Sequence, residues 1–443
     1  MERRSTIFAL SSANGRAGVC VFRVSGDAAR SAVEELTGAP VPQPRRATLR
    51  DIRLRDGTLI DRGLVIWFEG SRSFSGEDVA EFQLHGSPAV IAAFTGRLSE
   101  LPGLRAADPG EFTRRAFMAG KLDLTEAEGL ADLINAETEQ QRRLALRQLQ
   151  GGLKDQYERW RGDLVRALAH IEATIDFVDE ELPDDLTTSV LPRIAKLRAE
   201  IGAHLADHRR GEIVRDGFTV VILGAPNVGK SSLLNALARR DVAIVSATPG
   251  TTRDAIEVDL DLGGYAVTLI DTAGLRDTTD EIETEGIRRA RAKAQYADLR
   301  LGVVDASVSV NDSRVSPELV SGDAILLNKS DMPGAQTQTV AAPLHSMRVS
   351  AKTGEGIGAL LAWLEQQVVA RTGGSEAMPM TRARHREALA DAHAALARFG
   401  KAQALDIAAE DLRIAARALG RITGRVDVED LLDVIFREFC IGK

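Results

Sequence analysis

The sequence predicts a multidomain protein in which an α/β domain is inserted into a helical domain, behind an N-terminal α+β domain. Three observations predict this fold class. The 443 residues exceed what one core of ordinary size holds. Buried-strand runs alternate with helical stretches in the middle of the chain, which is typical of a parallel sheet with helical crossovers. Helical spacing dominates on both sides of that region. We place the N-terminal domain at residues 1–118, the helical domain at 119–215 and 373–443, and the inserted domain at 216–372.

The N-terminal domain combines short strands with helices. Residues 18–24 and 64–68 are rich in β-branched and aromatic side chains and are bounded by turns or charged residues, so they are predicted strands. Residues 28–36 and 88–98 have the spacing of helices.

The helical domain is predicted from capping and breaking signals. Thr125–Glu128 has the Thr-x-x-Glu form of a capping box, and a helical stretch follows to about Gln150. Further helices are expected over 153–179, 191–208 and 381–439, with Gly400, Gly420 and Gly424 interrupting the last of these.

The composition favours a soluble globular protein and argues against several other classes. Hydrophobic residues make up 44% and charged residues 27%, which is typical of a soluble globular chain. No apolar run approaches the roughly 18–20 residues that cross a bilayer, and we expect no membrane association and no secretory signal. The two cysteines, Cys20 and Cys440, lie far apart, which favours a reducing, cytoplasmic compartment. A net charge of −8 argues against non-specific coating of nucleic acid, although a local basic patch or a basic partner could still hold RNA.

A phosphate-binding loop is predicted at Gly224–Ser231, which fits G-x-x-x-x-G-K-S between a strand and an apolar helix. Gly224 and Gly229 allow the backbone to curl so that its N–H groups face phosphates. Lys230 supplies a positive charge to the outer phosphates, and Ser231 offers a hydroxyl to Mg²⁺.

Three further elements follow in the order expected of a P-loop GTPase with a Ras-like fold. Asp271–Gly274 ends a strand, where the carboxylate can act on Mg²⁺ through water. Asn328–Asp331 follows another apolar strand, and Asp331 can accept from the two adjacent donors of guanine, which adenine lacks. Ser350–Lys352 can place a backbone amide against the base oxygen. The sequence therefore predicts GTP rather than ATP as the nucleotide.

The means of activating water is left open by the residues. Leu275 stands where small GTPases commonly place a glutamine, so another group must orient the water. Acidic residues in the next loop are Asp277, Asp280, Glu281 and Glu283, and spacing does not choose among them. Asn227 in the P-loop can hold a monovalent cation against the phosphates, or it can serve only as a turn residue. Thr251 and Thr252 lie in a loop that can order as a switch around Mg²⁺.

Several longer stretches resemble the MnmE (TrmE) family of tRNA modification GTPases. They cover essentially the whole chain in the family's order: residues 22–26, 74–81, 109–117 and 121–128, and the ending Cys440-Ile441-Gly442-Lys443.

The resemblance implies roles for particular residues. It implies a folate-binding N-terminal domain that uses Arg23, Glu81, Lys121 and Lys443 with 5-formyltetrahydrofolate or a related folate. It implies Mg²⁺ at Ser231 and Thr252, K⁺ at Asn227, Ser246, Thr248 and Thr251, and catalytic roles for Glu283, Asn227 and Lys230. The nucleotide contacts are then Asn227, Val228, Gly229, Lys230, Ser231, Ser232, Ser246, Ala247, Thr248, Pro249, Gly250, Thr251, Thr252, Asp271, Thr272, Ala273, Gly274, Asn328, Lys329, Asp331, Ser350, Ala351 and Lys352.

The same resemblance implies a function and partners. Family members are homodimers in which K⁺ and GTP pair two GTPase domains and activate hydrolysis. With a flavin-containing partner, MnmG (GidA), they modify carbon 5 of the wobble uridine of certain tRNAs. The alternative is a regulatory GTPase switch, for example in ribosome assembly, without covalent chemistry. Cys440 has either a role in the modification chemistry or a structural one.

Overall fold

The computed structural model describes residues 5–176, 185–244, 257–271, 297–307, 319–333, 335, 344–373, 377–402 and 404–426, together with Leu432, Ile435, Phe436, Phe439 and Gly442. Over 185–189 it describes the backbone alone. The chain divides into two compact units. One comprises residues 1–131, 149–191 and 394–443, and the other comprises 132–148 and 192–393.

The first unit contains a mixed six-stranded sheet. Its strands are β1 (Thr6–Leu10), β2 (Ala17–Ser25), β3 (Thr48–Arg53), β4 (Leu59–Phe68), β5 (Val79–Gly86) and β6 (Leu104–Ala106), in the order β3-β4-β5-β2-β1-β6. Only β6 runs parallel to its neighbour. Helices α1 (Ala29–Thr37), α2 (Pro88–Ser99) and α3 (Glu111–Met118) accompany the sheet. Phe22 of β2 and Phe94 of α2 pack edge to face with ring centroids 4.9 Å apart, so helix and sheet share one core.

The same unit contains a pair of long helices. In α6 (Gly152–Asp176) the buried residues recur every three or four positions, and Tyr157, Trp160 and Leu164 are examples. The later helix Leu405–Thr423, here α12, shows the same spacing and packs against α6. The buried residues form an apolar stripe along each helix. Their spacing follows the 3.6-residue period from which helices were predicted in these two segments.

The predicted capping box is wrong by two residues. Asp123, not Thr125, precedes the helix, and its Oδ1 accepts the N–H of Glu126 at 2.8 Å. Glu126 Oε2 in turn accepts the N–H of Asp123 at 2.8 Å. The Thr-x-x-Glu pattern was misread because an Asp-x-x-Glu pattern overlaps it, and the aspartate and Glu126 form the reciprocal pair of hydrogen bonds.

The helical stretch predicted to continue to Gln150 is two helices, α4 (Leu124–Asn135) and α5 (Glu139–Leu149). The side-chain oxygen of Gln141 accepts the backbone N–H of Thr138 at 3.1 Å and so caps the second helix. Gly420 does not interrupt a helix, since it lies within α12. A methyl group there would lie 2.8 Å from Val426, so this glycine permits close packing.

The second unit contains a second six-stranded sheet. Its strands are β7 (Phe218–Leu223), β8 (Glu257–Leu262), β9 (Tyr265–Asp271), β10 (Leu299–Asp305), β11 (Ala324–Asn328) and β12 (His345–Arg348), in the order β12-β11-β10-β7-β9-β8. All neighbours are parallel except β8 and β9. The remaining helices are α7 (Asp185–Leu205), α8 (Arg210–Asp216), α9 (Lys230–Ala238), α10 (Ile357–Thr372) and α11 (Ala383–Phe399).

This architecture confirms the predicted fold class. An N-terminal α+β domain, helical segments and an α/β domain with a mainly parallel sheet are all present. The exact domain boundaries stay predictions. Among the described residues, no helix is both long enough and apolar enough to span a membrane.

Candidate nucleotide-binding site

Four strands of the second sheet end at the same edge. β7, β9, β10 and β11 are parallel, so the residues that follow their carboxyl ends lie side by side. The P-loop follows β7, and the other three strands end in Asp271, Asp305 and Asn328. The motifs that are far apart in sequence therefore meet at one edge of the sheet.

The P-loop depends on two glycines with left-handed backbone angles. Gly224 has φ +152° and Gly229 has φ +98°. A methyl group on Gly224 would collide with the carbonyl oxygen of Val303 in β10, and one on Gly229 would collide with the side-chain amide of Asn328. Both positions require glycine because of backbone conformation and close packing.

Lys230 is the first residue of α9 and is buried. Its Nζ donates to the carbonyl oxygens of Gly224 at 2.8 Å and Ala225 at 3.1 Å. The ammonium group thus lies within the turn of the P-loop, at the N-terminus of a helix, where both charge and dipole favour an anion.

Ser231 and Asp271 form the next contact of the site. Ser231 Oγ donates to Asp271 Oδ2 at 2.8 Å, and the side chain of Asp271 is buried. A hydroxyl and a carboxylate at this separation are the hard oxygen donors that Mg²⁺ prefers, so the residues present fit that ion.

Asn328 joins two loops of the site through both ends of its buried amide. Nδ2 donates to the carbonyl oxygen of Val228 at 2.8 Å, and Oδ1 accepts the N–H of Ala351 at 3.1 Å. The P-loop and the Ser350–Lys352 segment are thereby held against each other by one side chain.

Asp331 is positioned by the same segment. Ser350 Oγ donates to Asp331 Oδ1 at 2.6 Å, and this hydrogen bond lowers the pKa of the Asp331 carboxyl below its ordinary value of 3.8. The hydrogen bond therefore favours the ionised carboxylate, which is the acceptor form that the guanine donors require.

Asp305 belongs to the same edge of the sheet but lies outside the predicted motifs. It ends β10, and its Oδ2 lies 2.8 Å from Nζ of Lys329. The hydrogen bond from Lys329 is the main cause that lowers the pKa of Asp305 to about 2. Lys329 has φ +61°, a left-handed conformation that a non-glycine residue adopts at some cost. An aspartate directly after the apolar run Val303-Val304 was the available signal.

The remaining predicted nucleotide residues divide into two groups. Asn227 is exposed, with φ +65°. Val228 and Lys352 lie in the loops already described, and Ser232 lies in the first turn of α9. The other group lies outside the described residues: Ser246, Ala247, Thr248, Pro249, Gly250, Thr251, Thr252, Thr272, Ala273, Gly274 and Glu283.

A separate pocket lies in the first unit, and we call it the N-terminal pocket. Arg23 of β2 faces Glu81 of β5 in register, and Arg23 Nε lies 2.8 Å from Glu81 Oε1. The pocket has a volume of about 390 Å³ and is lined by Arg23, Arg45, Ile66, Phe68, Arg72, Phe74, Ser75, Val79, Glu81 and Phe112. Two of the four predicted folate residues therefore line one pocket.

The other two predicted folate residues are placed differently. Lys121 Nζ donates to the carbonyl oxygen of Ser71 at 2.7 Å, beside the lining residue Arg72. Lys443 and Cys440 lie outside the described residues. Nearby Gly442, with φ +98°, accepts at its carbonyl oxygen from Ser11 Oγ at 3.0 Å. Cys20, which belongs to the predicted strand 18–24, is buried in β2.

Two family models match this chain. The one described as "MnmE helical domain" matches residues 124–440, and the one described as "GTP-binding protein TrmE N-terminus" matches residues 6–121. The chain belongs to the MnmE family. Together the two models span nearly all of the described structure, including the P-loop.

Curated relatives are similar to this chain over nearly all of their length. The tRNA modification GTPase MnmE of Paramagnetospirillum magneticum is 55% identical over 99% of this chain and 99% of its own length. That of Parvibaculum lavamentivorans is 56% identical over 99% of this chain and 100% of its own. The G domain of the T. maritima FeoB iron transporter is 25% identical over 35% of this chain and 98% of its own, with a TM-score of 0.25, and the family assignment does not depend on it.

Membership in the MnmE family confirms the resemblance seen in the sequence. It also confirms, at the level of the family, the prediction of a GTPase that takes part in tRNA modification. The individual site residues, the ions, the folate, the dimer and the flavoprotein partner stay predictions.

Proposed function

We propose that this protein is a potassium-activated GTPase that modifies carbon 5 of the wobble uridine of certain tRNAs, together with a flavin-dependent MnmG-type partner and a folate one-carbon unit. Membership in the MnmE family supports the general function, which is that of a GTPase taking part in tRNA modification. The observation that carries the nucleotide part is the joint position of Lys230, Asp331 and the Ser231–Asp271 pair around one edge of the sheet.

Guanine selectivity is supported by Asp331. Its carboxylate accepts from the two adjacent donors of guanine, while adenine presents no such pair. Asn328 fixes the loops that approach the nucleotide from both sides. Because each partner is already held in place, the site is organised for the base before it binds.

Phosphate binding falls to the P-loop. In this proposal the backbone N–H groups from Asn227 to Ser232 face the phosphate chain, and Lys230 exchanges its two carbonyl partners for phosphate oxygens. Ser231, with Thr252, would hold Mg²⁺, which neutralises negative charge on the phosphates when bound.

Of the groups proposed to bind K⁺ and to position the water for hydrolysis, Asn227 lies among the described residues and the others lie outside them. We assign the K⁺ position to Asn227, Ser246, Thr248 and Thr251, where the ion supplies positive charge next to the phosphates. The exposed amide of Asn227 on a left-handed turn is free to face a ligand, which fits this role. Glu283 is proposed to position the water, since Leu275 cannot, and two GTPase domains of a homodimer pair during the reaction.

The one-carbon chemistry is proposed for the N-terminal domain. Arg23, Glu81, Lys121 and Lys443 would bind 5-formyltetrahydrofolate or a related folate. The mixed surface of the N-terminal pocket, with five apolar or aromatic residues beside an ion pair, suits a flat heterocycle with a polar edge. Gly442 lies against Ser11 in the same unit, which supports a role for Cys440 and Lys443 near this domain. We propose a cytoplasmic location for the whole reaction.

The test is a reconstituted assay. Purified protein is combined with an MnmG-type flavoprotein, unmodified tRNA, GTP, KCl and 5-formyltetrahydrofolate, and modified uridine is measured by mass spectrometry. Modification that requires both GTP hydrolysis and Arg23 supports the proposal. GTP hydrolysis without any uridine modification, under conditions in which a known family member works, would instead favour a regulatory switch.

A further inference from the structure

The N-terminal pocket is positively charged in an acidic protein. Three arginines and one glutamate line it, an excess of two positive charges, whereas the whole chain carries −8. Charge of the opposite sign to the rest of the molecule, concentrated in a cavity, selects an anionic ligand or an anionic part of one.

The excess charge belongs to Arg45 and Arg72. Arg23 is already paired with Glu81 at 2.8 Å. Arg45 Nη2 donates to the backbone carbonyl oxygen of Arg72 at 2.7 Å, which is a neutral acceptor. Among the described residues, the guanidinium groups of Arg45 and Arg72 have no carboxylate partner. Both side chains are exposed, so they stand at the opening of the pocket.

The rest of the pocket has a different chemistry. Ile66, Phe68, Phe74, Val79 and Phe112 give it apolar and aromatic walls. The Arg23–Glu81 pair offers a donor and an acceptor close together, which suits the neutral polar edge of a heterocycle. One ligand that satisfies both regions has an aromatic head and a carboxylate-bearing tail.

We propose that Arg45 and Arg72 bind the carboxylates of a glutamate tail, so that the pocket prefers folates with more than one glutamate. This inference rests on the proposed folate binding. Each added glutamate adds one carboxylate near the two arginines. Since charges are screened beyond roughly 8 Å at physiological salt, the gain in affinity levels off after the second or third glutamate.

Arg72 is the better residue for a test. Its side chain makes no hydrogen bond or ion pair with any described residue, so its removal leaves the described contacts of the domain intact. Arg45 also ties the loop through the carbonyl of Arg72, so its removal would disturb the loop. Arg46 is a matched control, because it is an exposed arginine next to Arg45 that does not line the pocket.

The experiment measures binding to the full-length protein by calorimetry. The probes are a tail-less 5-formyltetrahydropterin, and 5-formyltetrahydrofolate with one and with three glutamates. We expect affinity to rise from the first probe to the third. We expect Arg72→Ala to weaken the triglutamate by about fivefold, to leave the tail-less head unchanged, and Arg46→Ala to change neither. Higher salt should reduce the difference between the probes.

Two other results overturn the inference in different ways. Equal affinity for one and three glutamates, with no effect of Arg72→Ala, shows that the tail is not recognised. An equal loss for head and tail in Arg72→Ala shows that Arg72 acts through the shape of the pocket. If none of the three probes binds, the proposed folate function fails, together with the inference that rests on it.

Discussion

The hydroxyl of Ser350 donates a 2.6 Å hydrogen bond to Asp331, the residue that is predicted to recognise guanine. The two residues come from different loops, one after β11 and one before α10. This hydrogen bond lowers the pKa of the Asp331 carboxyl and orients the carboxylate.

The first prediction concerns the effect of pH on Ser350→Ala. The pKa of Asp331 is lowered, so the carboxylate and the affinity for guanine are lost only as the pH falls through that low pKa. Removing the hydroxyl raises the pKa toward its ordinary value of 3.8. The loss of GDP affinity should then begin at a higher pH than in the native protein. Titration of GDP binding from about pH 5 down to about pH 3, the range that spans the ordinary value and the region below it, checks this, with Ser330→Ala as control. Identical pH profiles for native protein and Ser350→Ala contradict it.

Asp331→Asn should change the base that is recognised. The amide can no longer accept from both guanine donors, but it can donate to the additional carbonyl of xanthine. GTP affinity should fall by about 100-fold, since two charge-assisted hydrogen bonds are lost, while affinity for xanthosine triphosphate rises. Competition binding measures both. Glu355→Gln, a nearby acid that contacts Ser330, should change neither affinity. Unchanged preference for GTP in Asp331→Asn would remove Asp331 from the base site.

Glu283→Ala should slow GTP hydrolysis by roughly 10²-fold with little change in GTP affinity, because its proposed role is confined to the transition state. Asp280→Ala, which removes an acid three residues earlier, is the matched control. Single-turnover hydrolysis and equilibrium binding separate the two effects. If Asp280→Ala slows GTP hydrolysis and Glu283→Ala does not, the water-positioning role belongs to Asp280 and not to Glu283.

His204 should make the protein sensitive to mild acid. Burial lowers its pKa to about 4, and Arg386 and Arg210 also favour the neutral ring, although Asp207 opposes them. Between pH 6.5 and 4 the unfolded chain therefore binds a proton that the folded chain does not, so stability falls as the pH falls. His204→Gln should lose less thermal stability from pH 7 to 5, by roughly 2 °C. Exposed His208→Gln is the control, and equal losses in native protein and His204→Gln contradict the assignment.

Much of the fold could be predicted because local chemistry and tertiary structure agree. The strands at Phe218–Leu223 and Ala324–Asn328 consist almost entirely of apolar residues, which is typical of buried parallel strands. The break before α5 was missed because it depends on a capping hydrogen bond from the Thr138 N–H to the side chain of Gln141, which helical spacing does not reveal. Gly420 was misread for a related reason, since its contact with Val426 is a packing constraint.

The nucleotide site could be predicted in outline from ordered motifs, but not in its internal contacts. Asp305 lies outside those motifs, and its pairing with Lys329 depends on the parallel register of β10 and β11. The proximity of Arg45 and Arg72 could not be predicted from the sequence either. These arginines are 27 residues apart, and only the sheet and its loops bring them together.

The potassium-activated mechanism is tested most directly by GTP hydrolysis in KCl and in NaCl at equal ionic strength and protein concentration. We expect the full-length protein to hydrolyse GTP at least about tenfold faster in KCl, since the K⁺ proposed at Asn227 would supply positive charge next to the phosphates. Asn227→Ala should abolish the difference. Equal rates for the native protein in the two salts would contradict cation activation at this site.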